Sequence, residues 1–584
     1  MRPIVWSISG NDSGGGAGLT ADQRAFDSFG VHLCPIVAAV TAQNSLGVAR
    51  VQAVGADLLE AQLAALEHDL PPLVIKTGLL GSVEQVVVVA RWIDRLRLRA
   101  PVALVVDPVL KASTGASFTS VELRRAYVRL LIPRATLVTP NRAEAVALLQ
   151  AHRQQGSSAA DRTADAHADA QSGNEGLAAI PPLAKALRQL GAKAVCITGG
   201  DSEAVDGRML DWLSTEHAEG WLASPRVDTR HNHGTGCTFA SSAAAAFALG
   251  FVAADAVILA KMRTRQALID SYEAGRGAGP VHATVSSTSV DAASMPMMSW
   301  AEAPVFAALA SSDAPAFSCV PGLYGVVDNT ALAIRTVKAG LKTVQLRIKA
   351  PPSPDAAWQA QLRNDLHAAA LACRDHGALL VVNDHWNAAL DLRAEGLPVG
   401  LHMGQEDMQT VGESVRRDIA GSGIPLGISS HSLWELCRAR GSAPAYIACG
   451  PVWPTSTKEM PWVPQGLQNL SWWRAMAGVP VAAIGGVLTA AEVEGAAASG
   501  AELVCVVRAL ASPAGSIASH ATSDTTSEAT LGLPMRRADV LEDAVAALKQ
   551  GWTRGRRRWL ETIRRSAIAA YAKDGVPRFL HPTL

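Results

Sequence analysis

Apolar residues in the first half of the chain fall in short, β-branched runs separated by Ala- and Leu-rich stretches. The runs at residues 4–9, 74–77, 104–107, 136–139 and 194–198 show little polar alternation, and helical patterns lie between them. Strands of that kind are covered on both faces, so this half predicts a parallel sheet layered between helices, an α/β architecture. Residues 316–511 repeat a different unit. Strand-like runs occur at 322–327, 343–348, 378–382, 400–403, 426–429, 446–450, 481–484 and 503–507, mostly followed by helical stretches. Eight such βα units predict a small (β/α)8 barrel, whose chemistry gathers at the C-terminal ends of its strands.

Other segments lack either pattern. Residues 151–176 are polar and rich in Ala, Asp and Gln, which predicts a solvated surface insertion. Residues 281–315, rich in Ala, Ser, Pro and Met, predict a linker, and the Ser/Thr/Ala-rich stretch 512–533 predicts disorder. Residues 535–576 carry a helical pattern with a basic block, Arg554–Arg558, expected to pack on a partner surface. The expected organisation is a first domain at 1–280, a linker at 281–315, a barrel at 316–511 and a tail at 512–584.

Composition narrows the function. Of 584 residues, 49% are apolar, and Lys+Arg and Asp+Glu both number 52, so the net charge is zero. Nothing global steers the chain to nucleic acid or to an anionic membrane, and any phosphate must be bound by local sites. The 8 cysteines are scattered without a CxxC pair, which predicts reduced thiols and a cytoplasmic setting. The apolar stretch at the N-terminus is too short for a secretory signal. Residues 237–260 are long and apolar enough to span a bilayer, but Gly250 and Asp255 interrupt them, and a buried helix is expected.

Two regions carry candidate chemistry. In the first half, the Gly-rich segment 10–18 follows a strand, and His233-Gly234-Thr235-Gly236-Cys237-Thr238 opens an apolar helix. Such a turn offers free N–H groups and the positive end of a helix dipole to an anion, and it is expected to lower the Cys237 pKa. The plainer alternative is a capping turn around a buried thiol. In the second half, alternation places Gln345, Arg347 and Lys349 on one strand face. Asn383-Asp384 ends the third strand and Asp407 follows the fourth, where two carboxylates could share Mg²⁺. Ser429 ends the fifth strand, Thr455-Ser456-Thr457-Lys458 follows the sixth, and Gly485-Gly486 ends the seventh, where bare N–H groups can hold a phosphate.

These segments carry a resemblance. GNDSGGGAG (10–18), VTAQN (40–44), KTGLLG (76–81), DPVL (107–110), TPNRAEA (139–145), ITGGD (197–201) and HGTGCT (233–238) resemble the hydroxymethylpyrimidine/phosphomethylpyrimidine kinases of the ribokinase-like, three-layer α/β/α fold. GLYGVVD (322–328), QLRIK (345–349), VVND (381–384), GLHMGQED (400–407), LGISSH (426–431), GPVWPTSTKEMP (450–461), PQGL (464–467) and AAIGG (482–486) resemble thiamine phosphate synthase, a TIM barrel. The first resemblance implies that Gln43 binds the aminopyrimidine and that Gly234, Thr235 and Gly236 form an anion hole. It places Cys237 where sugar kinases of the fold carry a base, and Asp107 and Glu144 where Mg²⁺ and the phosphates of ATP are organised. The second implies that Gln345, Arg347, Lys349, Asn383, Ser429 and Lys458 hold a pyrimidine diphosphate and that Asp384 and Asp407 bind Mg²⁺. Thr455, Ser456, Thr457 and Gly486 would then hold a thiazole phosphate.

Together they imply two reactions. ATP phosphorylates hydroxymethylpyrimidine and its monophosphate, and the diphosphate then condenses with the thiazole phosphate to give thiamine phosphate. The expected partners are small molecules, with neither nucleic acid nor membrane, and the oligomeric state, a homo-oligomer included, stays open. Two departures stand out. Thr77 and Leu79 replace the family's Ile and Met, and Arg508 stands where a phosphate-binding Ser is usual. Three alternatives remain: a pyridoxal-type kinase, a regulatory or tautomerase-like barrel, and a scaffold assembled through the tail.

Overall fold

The computed structural model describes residues 2–110, 120–154, 176–284, 292–306, 320–455, 461–511, 538–569 and 581–584. They form two units, one centred on Met1–Phe306 and the other on Ala307–Ala572 with Phe579–Leu584.

The first unit is built on a ten-stranded sheet: β1 (Ile4–Asp12), β2 (His32–Asn44), β3 (Gly47–Ala53), β4 (Val74–Thr77), β5 (Ala103–Val106), β6 (Leu137–Val138), β7 (Val195–Ile197), β8 (Arg208–Ser214), β9 (Glu219–Pro225) and β10 (Met297–Met298). Its order is β10-β9-β8-β7-β6-β5-β4-β1-β2-β3. The six strands from β7 to β2 are parallel, whereas β3, β8, β9 and β10 are antiparallel, so the sheet is mixed rather than purely parallel. The pleat sorts side chains between two helical layers. Trp6 points to one layer, its ring 6.4 Å from that of Trp92 on the helix Val83–Arg97. Ser7 and Lys76 point to the other, onto Asp22 of the helix Gly18–Ser28. This is the three-layer α/β/α arrangement.

Three expectations change here. The apolar span 237–260 is not one helix but two, Thr235–Ala248 and Ala253–Ile269, broken where Gly250 takes φ 93°. Among the described residues no helix is long and apolar enough to cross a membrane. Within the stretch expected to be a linker, β10 closes the sheet edge on β9, and Trp221 Nε1 donates to Glu302 O at 2.6 Å. The expected insertion lies mostly outside the described residues, and its first three residues finish the helix Arg142–Arg153.

The second unit is a closed parallel barrel of β11 (Gly322–Val327), β12 (Thr343–Leu346), β13 (Leu379–Asn383), β14 (Val399–Met403), β15 (Leu426–Ser430), β16 (Tyr446–Cys449), β17 (Val481–Ala483) and β18 (Leu503–Val506). Closure pairs β11 with β18 and leaves no edge. Tyr324, Val381, Tyr446, Ala482 and Leu503 fill the interior. The tail helix Ala538–Ala569 lies on the barrel helix Ala490–Ala498. A Cβ at Gly551 or Gly555 would fall 2.3 Å from Ala490 O or 2.2 Å from Glu494 O. The basic block reaches the same helix through Arg554 and Arg558, 2.7 and 2.8 Å from Glu494. The surface on which this helix packs is therefore the barrel itself.

Candidate active sites

In the first unit, β1 ends at Asp12 and runs through the Gly-rich turn into the helix Gly18–Ser28. Gly234, at φ 87°, caps the helix Thr235–Ala248, and a Cβ there would lie 2.1 Å from Gly16 O. The two glycine turns thus pack backbone to backbone, with Thr235, Gly236 and Cys237 in the first helical turn. Gln43 stands at the end of β2, its amide nitrogen 3.2 Å from His233 Nε2.

Beneath this surface lies a buried ionic group. Lys76, fully buried on β4, donates to both Asp22 oxygens at 3.0 and 3.2 Å and stands 3.7 Å from Asp107 Oδ2. Ser7 and Ser241 also donate to Asp22, at 2.6 and 2.7 Å. Burial works against the lysine's charge, but Asp22, Cys237 and Asp107 outweigh it and hold Lys76 above the usual lysine range. Burial likewise pushes Asp107 up to about 6, against the pull of Lys76. Glu144 rises to about 8, through burial and then the nearby Asp107 charge. Its oxygens accept N–H groups of Asn141 and Leu110, at 3.0 and 3.3 Å. Asp107 Oδ2 is buried without a hydrogen-bond partner.

Cys237 departs from expectation. Its side chain keeps some surface open, yet burial around the sulfur pushes the thiol up to about 12. Lys76 and the Gly18 N–H pull it down, while Asp107 and Asp22 push it further up. The helix N-terminus therefore does not deliver a resting thiolate, because burial and two carboxylates outweigh it.

In the barrel, Gln345 sits buried on β12 and donates to Asn383 Oδ1 at 3.1 Å. Asn383 in turn donates to Asp384. The strand ends at Leu346, so Arg347 and Lys349 belong to the following loop, with Arg347 partly buried and Lys349 exposed. Asp384 takes φ 65°, a left-handed conformation uncommon outside Gly, Asn and Asp. That turn aims its carboxyl at Asp407, in the first turn of the helix Gln405–Thr410. Burial and then the Asp407 charge push Asp384 up to about 6, and Arg347 pulls it down. Two carboxylates and a guanidinium therefore meet at one mouth. Among the described residues no group of three or more His, Cys, Asp or Glu forms a metal cage.

The loops after β16 and β17 are joined by Val452 N–H to Ile484 O at 2.9 Å and by Trp453 N–H to Gly485 O at 3.1 Å. A Cβ at Gly486, φ 74°, would meet Trp453 Cβ at 2.5 Å and Pro454 O at 2.8 Å, so Thr455 begins its loop beside Gly486. Ser456, Thr457 and Lys458 lie outside the described residues. Arg508 opens a short helix after β18.

Sequence reasoning passed over a polar chain in the barrel. Ser429 Oγ is 3.0 Å from His402 Nε2, His402 Nδ1 is 2.9 Å from Tyr446 Oη, and Tyr446 is 2.7 Å from Tyr324 Oη. Burial, then the Arg347 and His431 charges, hold His402 down to about 4, so it is neutral. Gly427 makes room for the Tyr446 ring, which a Cβ would meet at 2.1 Å. His402 stood inside a matched segment, and its even spacing from Gly400 on a strand was the available signal. Asp12, Lys76 and His233 likewise lie in matched segments, whereas Asp22 lies just past one in the following helix, and none of the four is given a role by the sequence.

Comparison with known proteins agrees with both halves. The family model for phosphomethylpyrimidine kinase matches residues 12–282, and that for thiamine monophosphate synthase matches 323–510. The chain is 30% identical to the chloroplastic thiamine biosynthetic bifunctional enzyme of Arabidopsis thaliana, over 83% of this chain and 85% of that one. It is 35% identical to the hydroxymethylpyrimidine/phosphomethylpyrimidine kinase of Rhizobium meliloti, over 48% of this chain and 97% of that one. A solved ADP complex of Bacillus subtilis pyridoxal kinase is similar at 27% identity and a TM-score of 0.39, covering 48% of this chain and 98% of that one. The fused relative and the two family models favour the pyrimidine kinase and synthase over a pyridoxal kinase with a regulatory barrel. The chain belongs to the bifunctional thiamine biosynthesis enzymes, in which a hydroxymethylpyrimidine/phosphomethylpyrimidine kinase is fused to a thiamine phosphate synthase.

Proposed function

We propose that the residues gathered at the two sites divide the work as follows. In the kinase unit, Gln43 binds the aminopyrimidine, since an amide can donate and accept along a heteroaromatic edge. The N–H groups of Gly234, Thr235 and Gly236 hold the transferred phosphoryl group. The pyrimidine hydroxymethyl oxygen attacks the γ-phosphorus, the bond to ADP breaks, and the alcohol proton passes to an oxygen of the transferred phosphoryl group. A thiol held up at about 12 already carries its proton at rest and has no place for a second, so Cys237 acts by orienting the attacking hydroxyl rather than as its base.

Asp107 suits Mg²⁺ better than Glu144. Its buried Oδ2 has no hydrogen-bond donor, whereas both Glu144 oxygens are engaged by backbone N–H groups, which leaves Glu144 to act through water. In the barrel, the facing carboxylates of Asp384 and Asp407 supply the hard oxygens Mg²⁺ prefers. At either site the ion would neutralise phosphate charge. Gln345, Arg347, Asn383, Ser429, Lys349 and Lys458 hold the pyrimidine diphosphate. Gly486 and Thr455–Thr457 hold the thiazole phosphate. Diphosphate departs, the aminopyrimidine carries the positive charge on its methylene, and the thiazole nitrogen attacks it. The protein holds the two partners together and keeps water away. A kinase domain that extends through β10 to about Phe306, a barrel at 316–511, a tail at 512–584 and a cytoplasmic location complete this reading.

The observation that carries the synthase assignment is the Asp384–Asp407 pair beside Arg347. Asp384→Ala is expected to slow thiamine phosphate formation on the order of a hundredfold, while both kinase steps continue and pyrimidine diphosphate accumulates. Chromatography of one complete reaction reads both products. A normal thiamine phosphate yield removes Asp384 from the site.

A further inference from the structure

Three segments of the kinase unit meet at one carboxylate. Asp12 Oδ1 accepts the Gly14 N–H at 2.8 Å, and Oδ2 accepts those of Gly16 and Ala17 at 3.1 and 2.9 Å. The same Oδ2 is 2.9 Å from His233 Nε2, in the turn that precedes the anion-binding helix. That nitrogen is also 3.2 Å from Gln43 Nε2 at the end of β2. Ser13 Oγ exchanges hydrogen bonds with the backbone of Gln43, donating to its O and accepting from its N–H, both at 2.8 Å. The approach depends on glycine. A Cβ at Gly16 would lie 2.2 Å from His233 Cδ2.

The placement of protons decides what this junction does. Burial acts to raise the Asp12 carboxyl, but the bond from His233 and the Gly14 and Ala17 N–H groups hold it below the usual carboxylate value. It is therefore ionised and can only accept. The His233 nitrogen facing it must then carry a hydrogen, directed at Asp12, and has no lone pair left for Gln43. Two N–H donors turned toward each other at 3.2 Å would repel. Amide nitrogen and oxygen are nearly identical in shape, so the hydrogen-bond network decides between them. The stable arrangement turns Gln43 Oε1 to His233, where at 3.2 Å it takes the weaker arm of a three-centre bond from the one Nε2–H that chiefly serves Asp12, and turns its NH₂ away.

We propose that Asp12 and His233 are positioning residues that lock the Gln43 amide in that single orientation, so that recognition of the pyrimidine is tied to the anion-binding turn. The proposal rests on the reading of Gln43 as the pyrimidine contact. Locked in this way, Gln43 presents its NH₂ to a ring nitrogen and keeps one Oε1 lone pair for an adjacent amino group. A ring offering an acceptor nitrogen beside an amino donor is thereby preferred. A freely rotating amide would accept the reversed pattern equally well.

The test uses the full chain and His233→Ala, His233→Gln, Asp12→Asn and Gln43→Ala. The kcat and KM are measured for hydroxymethylpyrimidine and for ATP, with equilibrium binding of the pyrimidine in the absence of ATP. Synthase turnover on supplied pyrimidine diphosphate reports on the other unit, and the kinase unit's own melting transition reports its folding. Losing the lock is expected to raise the pyrimidine KM about tenfold in His233→Ala and Asp12→Asn, the scale of one misaligned hydrogen bond. The ATP KM should stay within about twofold. His233→Gln, whose amide can still donate to Asp12, should recover most of the affinity. A loss confined to kcat, with pyrimidine KM and binding unchanged in either folded variant, overturns the proposal and leaves the pair a support for the anion hole. Asp12→Asn preserves shape and carries the test if His233→Ala does not fold. Unchanged pyrimidine binding in Gln43→Ala would instead overturn the reading of Gln43 itself.

Discussion

Single residues in both sites are governed by burial more than by their sequence neighbours. Cys237 occupies the first turn of a helix, where a lowered pKa is the rule, yet its surroundings push it up to about 12. Alkylation of Cys237 at neutral pH, followed by mass spectrometry, should therefore be slow and should accelerate only at strongly alkaline pH. Cys237→Ser, which retains a hydrogen-bonding proton, should keep more kinase turnover than Cys237→Ala. Fast labelling with a midpoint near neutrality would show a resting thiolate instead. His402 makes a second case. Its pKa falls from 6.5 to about 4 on folding, so above 6.5 the neutral ring fits both states. Between those values only the unfolded chain gains the proton, and stability is lost as the pH falls through that window. The loss is on the order of 3 kcal/mol at most. Denaturant unfolding of the barrel at several pH values should show this slope, weakened in His402→Gln. An unchanged slope in the variant would assign the acid sensitivity to other groups. The position of Cys237 was legible in the sequence and its ionisation was not. Asp22 and Asp107 come from distant segments and meet it only in the fold.

At the scale of elements, legibility followed coverage. Strands buried on both faces, such as β4, β5 and the barrel strands, announced themselves as apolar runs. The antiparallel pair β8 and β9 carries Asp211, Ser214 and Ser224 among its buried residues and gives no such run. Asp211 is there because Lys261 pairs with it at 2.7 Å, a partner three elements further along the chain. The tail helix was legible from its period, but its docking surface was not, since that depends on two glycines meeting carbonyl oxygens. Gly555→Leu should force the helix Ala538–Ala569 off the barrel and destabilise that unit by about 1–3 kcal/mol, the usual scale of overpacking. Calorimetry should show a lower barrel transition and an unmoved kinase transition. Arg558→Ala, at an exposed ion pair, should have much less effect on the barrel. Equal melting for Gly555→Leu and wild type would contradict the packing.

At the scale of the whole molecule, each unit carries its own fold and matches its own enzyme family, and the two chemistries share one intermediate. A chain with both activities should convert hydroxymethylpyrimidine to thiamine phosphate unaided, whatever the relation between the units. The most direct measurement incubates the full chain with hydroxymethylpyrimidine, ATP, Mg²⁺ and the thiazole phosphate, and follows products by chromatography. Thiamine phosphate and diphosphate should accumulate with no other enzyme present, and omitting ATP should be bypassed by supplying the pyrimidine diphosphate. Accumulation of pyrimidine diphosphate without thiamine phosphate, or turnover of pyridoxal in place of the pyrimidine, would contradict the account.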